Sequence, residues 1–206
     1  MRIAVDVMGG DHAPDAMIAG ALDALELLSD EQRIILVGDE TIIRETLAER
    51  GLSAEPRIEI EPATEVIEMG ETPIEALRAK PNSSIARMAW LGSPRADQQR
   101  ADVVMSAGNT GACVAACQMS MRRLSGVHRP GIAVTIPTFF GPIVVCDVGA
   151  NIVPKPPHLH QYGHMASIYA RAVHGIENPR VALLSVGGGE GKGTSLVRET
   201  HKLMKA

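Results

Sequence analysis

Short apolar runs along the chain alternate with longer segments whose apolar residues recur every three or four positions. The first run, residues 2–7, contains several β-branched residues and precedes two glycines, which is typical of a buried strand. Residues 11–28 then repeat their apolar positions at the helical period, and Pro14 suits the first turn of that helix. Strands separated by amphipathic helices predict an α/β sheet covered on both faces.

The same alternation sets the expected order of elements. Further strands are predicted at residues 34–38, 57–60, 102–105, 132–136, 143–147 and 180–186. Further helices are predicted at residues 40–50, 83–91, 110–123, 158–174 and 194–204. A length of 206 residues fits one domain, so we expect a single α/β domain over residues 1–206. Because the chain stops within its last predicted helix, we also expect this domain to lack its C-terminal part.

Composition and charge exclude several classes of protein. Apolar residues make up 45% of the chain, which rules out a disordered polar chain. Aromatic residues make up only 2%, too few for the stacking surfaces that bind single-stranded nucleic acid. The formal net charge of −4 has the wrong sign for a protein that neutralises a phosphate backbone. We therefore expect no nucleic-acid partner.

The cysteines and the apolar stretches indicate the compartment. Cys113, Cys117 and Cys146 form an odd set without a Cys-x-x-Cys pair, which favours free thiols in a reducing compartment over disulfides or a zinc site. Two long uncharged stretches, residues 103–121 and 130–146, are not continuous apolar runs of about 20 residues. We expect a cytoplasmic location, at most peripheral at the inner face of the membrane.

Polar, glycine-rich turns follow four of the predicted strands, at residues 8–12, 106–111, 147–151 and 187–193. Ligands of open α/β sheets bind outside the carboxyl ends of the strands. Glycine lets backbone N–H groups approach an anion, and the helix N-terminus that follows favours negative charge. Each turn taken alone is more often an ordinary connection between a strand and a helix, but the four together favour a phosphate or phosphoester site.

The common nucleotide-binding motifs are absent from these turns. Lys192 is followed by Gly193 rather than Ser or Thr, which rules out a Walker A loop, and no Gly-x-Gly-x-x-Gly follows the first strand. A nucleotide kinase and an NAD-binding Rossmann enzyme are therefore disfavoured. Lys192 still stands where a loop meets a helix, and its ammonium can hold a phosphate oxygen there. The alternative is a solvated surface lysine.

Two pairs of residues at helical spacing have both a chemical and a structural interpretation. His160 and His164 lie one turn apart in a predicted helix, but no nearby carboxylate or thiolate completes a metal site, so the segment is interpreted as a helix start. Cys113 and Cys117 have the same spacing, and small buried side chains are favoured there over a nucleophilic thiolate.

One compact basic patch contains Arg122, Arg123 and Arg129. Cations in the last turn of a helix complement the helix dipole, which explains the patch without any partner. The same charges would also suit the docking of an acidic partner. The sequence leaves both interpretations open.

Taken as a set, the turns resemble those of a known family. Residues 6–14, Asp-Val-Met-Gly-Gly-Asp-His-Ala-Pro, resemble the opening motif of the bacterial phosphate acyltransferases, the acyl-phosphate synthases of phospholipid synthesis. Residues 106–112, 129–133, 147–151 and 178–181 are similar to further motifs of this family, in the same order. The resemblance covers essentially the whole chain.

The resemblance implies a reaction, a fold and a set of partners. A fatty acyl group would move from the thioester of acyl carrier protein onto inorganic phosphate, and the acyl phosphate would pass to a membrane acyltransferase acting on glycerol 3-phosphate. The implied fold is a three-layer α/β/α sandwich with a mixed, largely parallel sheet, similar to that of the isocitrate and isopropylmalate dehydrogenases. The implied assembly is a homodimer, and we expect no cofactor and no metal.

The resemblance and the chemistry together give the turn residues expected roles. Phosphate is a competent nucleophile and a thiolate of pKa about 8.5 is a good leaving group, so the reaction needs no enzyme nucleophile. Four residues have expected catalytic roles. Lys192 is expected to place a positive charge on phosphate or oxyanion, and Asn109 to belong to the phosphate cradle. His12 is expected to donate a proton to the thiolate, and Asp147 to orient its neighbours. The expected substrate-binding residues are Gly9, Gly10, Asp11, Ser106, Gly108, Thr110, Gly111, Asn151 and His158.

The chain departs from the family pattern at several positions. Gly189 and Glu190 replace an acidic pair before Lys192, and residues 152–154 replace a more polar stretch. The histidine and cysteine pairs named above are not family positions, and members of the family continue well beyond Ala206. Two alternatives therefore stay open. One is an NAD-dependent dehydrogenase of the same fold, and the other is a non-catalytic fragment that binds carrier protein or a partner subunit.

Overall fold

The computed structural model describes residues 1–185, 187 and 193–205. They form two compact units, one ending at Arg122 and the other beginning at Arg123. The single domain expected over residues 1–206 stays a prediction.

The first unit is built on a four-stranded parallel sheet with the strand order β3-β2-β1-β4. Its strands are β1 (Arg2–Asp6), β2 (Arg33–Gly38), β3 (Ile58–Pro62) and β4 (Val103–Met105). The chain first builds outward from β1 through β2 to β3, and then crosses back to place β4 on the other side of β1. The direction of the strand order therefore reverses between β1 and β4.

Helices connect these strands within the first unit. They are α1 (Asp15–Asp23), α2 (Glu40–Glu49), α3 (Pro73–Ala79), α4 (Ser84–Leu91) and α5 (Thr110–Ser120), with 3-10 turns at Ala24–Leu27 and Pro94–Gln99. Asp39 begins α2 because its carboxylate accepts hydrogen bonds from the backbone N–H groups of Thr41 (2.8 Å) and Ile42 (3.1 Å), which otherwise have no partner within the helix.

Alternating residues of β1 and β2 build one apolar core on each face of the sheet. Val5 and Leu36 pack with residues of α1 and α2, whereas Ala4 and Val37 pack with residues of α3, α4 and α5. Successive side chains of a strand point to opposite faces, so each strand contributes to both cores. The predicted three-layer α/β/α arrangement is confirmed in this unit. Its similarity to the dehydrogenase fold stays a prediction.

The second unit contains a two-stranded antiparallel sheet and two helices. β5 (Ala133–Thr138) and β6 (Gly141–Cys146) form a hairpin, and α6 (Pro156–His174) and α7 (Ser195–Lys205) follow it. α6 ends at Gly175, whose φ of 65° lies in the left-handed region that favours glycine. Among the described residues, no helix combines the length and the apolar character needed to cross a bilayer.

The observed elements differ from the predicted ones at a few places. The short α3 escapes the sequence pattern because seven residues show too little of a helical period. The helix predicted over residues 110–123 ends at Ser120, and Arg122 has a left-handed φ of 70°. The strand predicted at residues 180–186 is wrong for residues 180–185, which form no strand and pair with none of the described strands. Residue 186 lies outside the described residues.

Candidate functional site

The candidate site of the first unit lies at the carboxyl edge of its parallel sheet. The turn at residues 8–12 follows β1, and the turn at residues 106–111 follows β4. Because β1 and β4 are paired neighbours, with Val5 opposite Met105, the two turns leave the sheet side by side. The strand order reverses between these two strands, and ligands of open α/β sheets bind in the crevice at such a reversal.

A buried carboxylate at the end of β1 joins the two turns. Asp6 is fully buried. Its Oδ1 accepts a hydrogen bond from the N–H of Met8 (3.1 Å), and its Oδ2 accepts one from the hydroxyl of Ser106 (2.7 Å). The Ser106 hydroxyl oxygen in turn accepts the N–H of Gly108 (3.1 Å). Asp6 is absent from the residues that sequence reasoning proposed for the site, although a carboxylate ending an apolar strand was a usable signal.

The two turns touch through glycines that have no room for a side chain. A Cβ on Gly9 would lie 2.6 Å from Oδ2 of Asp6 and 2.8 Å from the backbone nitrogen of Gly108. A Cβ on Gly108 would lie 3.1 Å from Cα of Gly9. Gly10 has a φ of 121°, which side-chain-bearing residues rarely adopt. The glycines therefore allow the two backbones to approach each other at the crevice.

The side chain of Asn109 is committed to the protein itself. Its Oδ1 caps α5 by accepting the N–H of Ala112 (3.0 Å). Its Nδ2 donates to the backbone carbonyls of Glu68 (3.1 Å), Met69 (3.3 Å) and Glu71 (3.1 Å). Asn109 thus fastens residues 68–71 to the start of α5, and its expected direct role in a cradle stays a prediction.

The N-terminus of α5 presents unused hydrogen-bond donors at the crevice. Thr110 and Gly111 are exposed. Among the described residues, none accepts a hydrogen bond from the backbone N–H of either one. The first N–H groups of a helix carry its positive partial charge, and together they attract anions. This end of the sheet therefore suits a phosphate or a carboxylate.

Asp11 and His12 belong to the first turn and are exposed at its surface. The backbone carbonyl of His12 accepts the N–H of Ala16 (3.0 Å), which ties the turn to α1 and leaves the imidazole at the surface. The structure thus brings together the expected site residues of the first two turns at one edge of the sheet. Their individual roles stay predictions.

Asp147 organises the turn that follows β6 in the second unit. Its Oδ1 accepts hydrogen bonds from the N–H groups of Ile132 (3.1 Å), Gly149 (3.3 Å) and Ala150 (2.9 Å). Its Oδ2 accepts from the backbone N–H (3.0 Å) and the side-chain amide (2.8 Å) of Asn151. Burial by itself raises the pKa of the Asp147 carboxyl, but the hydrogen bonds outweigh it and hold that pKa below its ordinary value.

Asn151 and Tyr162 continue this network into α6. The Asn151 amide nitrogen lies 2.8 Å from the carbonyl oxygen of Pro130 and 2.9 Å from the hydroxyl oxygen of Tyr162. Tyr162 is 1% exposed, and its hydroxyl donates to the same carbonyl (3.2 Å). Burial raises the pKa of the Tyr162 phenol. Tyr162 is a second residue that the sequence analysis did not propose for the site. Its only signal in the sequence is that the chain contains just two tyrosines.

His158 and Lys192 complete the set of expected residues. The Nδ1 atom of His158 accepts the backbone N–H of Lys155 (3.2 Å), the residue that precedes the first turn of α6. Burial, followed by the charge of Arg129, lowers the pKa of His158. Lys192 lies outside the described residues, so its expected charge on phosphate or oxyanion stays a prediction. The roles expected for Asp147, Asn151 and His158 stay predictions as well.

The thiols of α5 pack as small apolar groups. Cys113 and Cys117 are half-buried and lie against the core formed with α3 and α4. A hydrogen bond between the two thiols lowers the pKa of Cys113 and raises that of Cys117. Across residues 1–185, 187 and 193–205, no three His, Cys, Asp or Glu side chains are grouped as metal ligands.

Comparison with known proteins finds relatives along the entire chain. A family model described as "Fatty acid synthesis protein" matches residues 1–206. The chain is 44% identical over 206 residues to the phosphate acyltransferase of Bacillus subtilis (strain 168) and 46% identical over 205 residues to that of Akkermansia muciniphila. Both alignments cover 100% of this chain, but only 59% and 57% of the respective relatives. The chain thus spans less than two thirds of the length of these curated relatives.

The glycine contact between the two turns predicts the effect of Gly9→Ala. The added Cβ would meet the backbone of Gly108 and the buried carboxylate of Asp6, and neither is the free end of a flexible side chain. We expect the free energy of unfolding, measured in urea, to fall by about 1–3 kcal/mol. The matched control is Gly20→Ala within α1, where a Cβ meets nothing within 4 Å. This variant should gain about 0.5–1 kcal/mol. Equal stability of the two variants would contradict the close contact.

The lowered pKa of Asp147 predicts a pH-dependent contribution to stability. We expect Asp147→Asn to lower the free energy of unfolding at pH 7 by about 1.5–3 kcal/mol, as is usual for hydrogen bonds to a charged group. Because the folded state lowers this pKa, the stabilisation is present above the ordinary aspartate value of about 3.9 and is lost as the pH falls through the folded value. Urea unfolding between pH 7 and pH 3 should therefore show that the free energies of unfolding of the unaltered protein and of Asp147→Asn approach each other as the pH falls. A difference independent of pH would assign the effect to packing instead.

Proposed function

The chain belongs to the fatty acid synthesis protein family, and from this membership we propose that it transfers a fatty acyl group from acyl carrier protein to inorganic phosphate. The product would be acyl phosphate for phospholipid synthesis. The name phosphate acyltransferase, carried by relatives that are 44–46% identical over the whole chain, supports acyl transfer to phosphate. The sequence motifs of the first two turns support the same reaction.

The observation that carries the proposal is the pairing of two glycine-rich turns at the strand-order reversal, beside the N-terminus of α5. Gly9 and Gly108 let the turns approach each other, and Thr110 and Gly111 present backbone N–H groups there. An exposed helix N-terminus next to two close backbones suits a small, doubly charged anion. Inorganic phosphate meets this description.

The proposed reaction requires positioning more than a reactive side chain. A phosphate oxygen attacks the thioester carbonyl carbon, so a C–O bond forms as the C–S bond breaks and the sulfur leaves with the electron pair and then takes up a proton. A thiolate with a pKa of about 8.5 leaves without strong assistance. The protein has to hold phosphate in line with the thioester and direct donors at the developing oxyanion.

The expected residues take distinct parts in this proposal. Thr110 and Gly111 hold phosphate through their backbone N–H groups, with Gly10 and Asp11 lining the facing turn. The exposed imidazole of His12 donates the proton to the departing thiolate. Asn109 acts as a positioning residue, because its amide already fastens residues 68–71 to α5.

The remaining proposed roles concern residues beyond the first two turns. Lys192 supplies a positive charge to phosphate or to the oxyanion. Asp147 orients the turn of the second unit through Asn151. Asn151 and His158 contribute to substrate binding, His158 from the start of α6.

The proposed partners follow from the same reaction. Acyl carrier proteins are acidic, and the exposed Arg123 and Arg129 of the second unit suit an acidic surface. A homodimer, a cytoplasmic location and a membrane glycerol-3-phosphate acyltransferase that receives the product complete the proposal.

The reaction itself is tested by incubating the protein with palmitoyl-carrier protein and radiolabelled phosphate. We expect labelled acyl phosphate to form in the absence of added nucleotide, because phosphate is the attacking group. Hydroxylamine should release the label from the product as inorganic phosphate, which shows that the phosphate was bound to an activated acyl group. Turnover of a hydroxy acid with NAD would favour a dehydrogenase, and carrier-protein binding without product would favour a non-catalytic fragment.

The link between Asp6 and the second turn predicts the effect of Ser106→Ala. The variant removes the donor to Oδ2 of Asp6 and the acceptor for the N–H of Gly108. The turn at residues 106–111 therefore loses its side-chain hydrogen bond to the end of β1. We expect kcat to fall by about 10²-fold, the size of effect that misplacement of a reacting group by about 1 Å produces. Ser29→Ala, at an exposed serine between α1 and β2, is the matched control. Equal kcat values in the two variants would show that Ser106 does not position the phosphate-binding turn for the reaction.

A further inference from the structure

Two histidines on α6 bring their ring nitrogens together at the surface of the second unit. The Nε2 atoms of His160 and His164 lie 3.2 Å apart. The ring centroids are 4.6 Å apart, and the ring planes cross at 88°. Residues four positions apart on a helix are neighbours on one face, so the helix itself holds the pair at this spacing. His160 is half-buried and His164 is exposed, which leaves the pair open to solvent.

From this geometry we propose that His160 and His164 form a chelating site for a divalent transition-metal ion. Imidazole nitrogens bind zinc at about 2.0–2.1 Å. Two such nitrogens separated by 3.2 Å subtend an angle of about 100° at a shared ion. This angle lies between those of square-planar or octahedral coordination and of tetrahedral coordination. The ring nitrogens are therefore already spaced as two adjacent ligands of one ion.

The donor set defines the class of ion. Imidazole suits zinc, copper and nickel, whereas calcium and magnesium prefer oxygen ligands. The described residues bring no third His, Cys, Asp or Glu to the pair, so water completes the coordination. Affinity at a two-nitrogen site follows the order of the divalent metals, with Cu²⁺ bound more tightly than Ni²⁺ or Zn²⁺.

Metal binding exchanges one contact for two. A hydrogen bond between the two Nε2 atoms uses an N–H of one ring and the lone pair of the other. Coordination requires a lone pair on both Nε2 atoms, so the donating Nε2 gives up its proton when the ion binds, to Nδ1 of its own ring or to water. The bound ion then bridges one turn of α6, the turn that contains the buried Tyr162. This turn is expected to become more stable when the ion is bound.

The site is tested by titrating the tag-free protein with NiCl₂ in a calorimeter. We expect one site per chain, and a loss of affinity of about 10²-fold in His160→Ala and in His164→Ala, because each variant turns a chelate into a single contact. His201→Ala removes an exposed histidine from α7 and should leave the affinity unchanged. Equal affinity in all three variants, or the larger loss in His201→Ala, would overturn the proposal.

A second measurement separates chelation from loss of folding in a variant. The electron paramagnetic resonance spectrum of the protein with one equivalent of Cu²⁺ should show two coordinated nitrogens, and that of His164→Ala one. The melting temperature of the protein should rise with Ni²⁺ by mass action, and that of His164→Ala should rise less. A spectrum with one nitrogen or none in the unaltered protein would contradict the site, whatever the result of the acyl transfer assay.

Discussion

The buried carboxylate of Asp6 is the interaction on which the candidate site of the first unit depends. A charge taken out of water destabilises a fold by several kcal/mol unless hydrogen bonds replace its hydration. Here the replacements come from the two turns themselves, through the N–H of Met8 and the hydroxyl of Ser106. The contact between Gly9 and Gly108 allows both turns to come that close. The turns therefore supply the hydrogen bonds that the buried carboxylate needs, and the carboxylate in turn holds the two turns together.

The second unit solves a related problem in a more open setting. Asp147 gathers five N–H donors around one carboxylate, and Asn151 connects this turn to Tyr162 in α6. In both units a carboxylate at the end of a strand accepts hydrogen bonds from the turn that follows it. The difference is exposure, since Asp6 is fully buried and Asp147 only partly so. A buried anchor suits a turn that must stay rigid against the sheet.

The sequence predicted the layers of the first unit because its strands and helices show their periods clearly. Val5 and Leu36 belong to one face of the sheet and their neighbours Ala4 and Val37 to the other, an alternation that the sequence pattern shows directly. It predicted less where structure depends on partners distant in the chain. The apolar run at residues 180–185 looks like a strand, but a strand forms only beside another backbone. The same limit applies to the candidate site. The four turns are visible in the sequence, whereas the long-range hydrogen bonds of Asp6, Asn109 and Tyr162 join residues that are 32 to 100 positions apart.

The hydrogen bonds of Asn109 have a consequence for how residues 68–71 tolerate change. Its amide contacts only backbone carbonyls there, while the side chains of Glu68 and Met69 are exposed. Substitution of Glu68 or Met69 leaves the backbone carbonyl acceptors in place, so other residue types can occupy these two positions without loss of the hydrogen bonds. Insertion or deletion of a single residue would instead shift the carbonyls away from the amide and loosen the first turn of α5. The length and backbone path of this segment are thus constrained, whereas its exposed side chains are not. Homologues should therefore differ there by substitutions and should show no insertions or deletions.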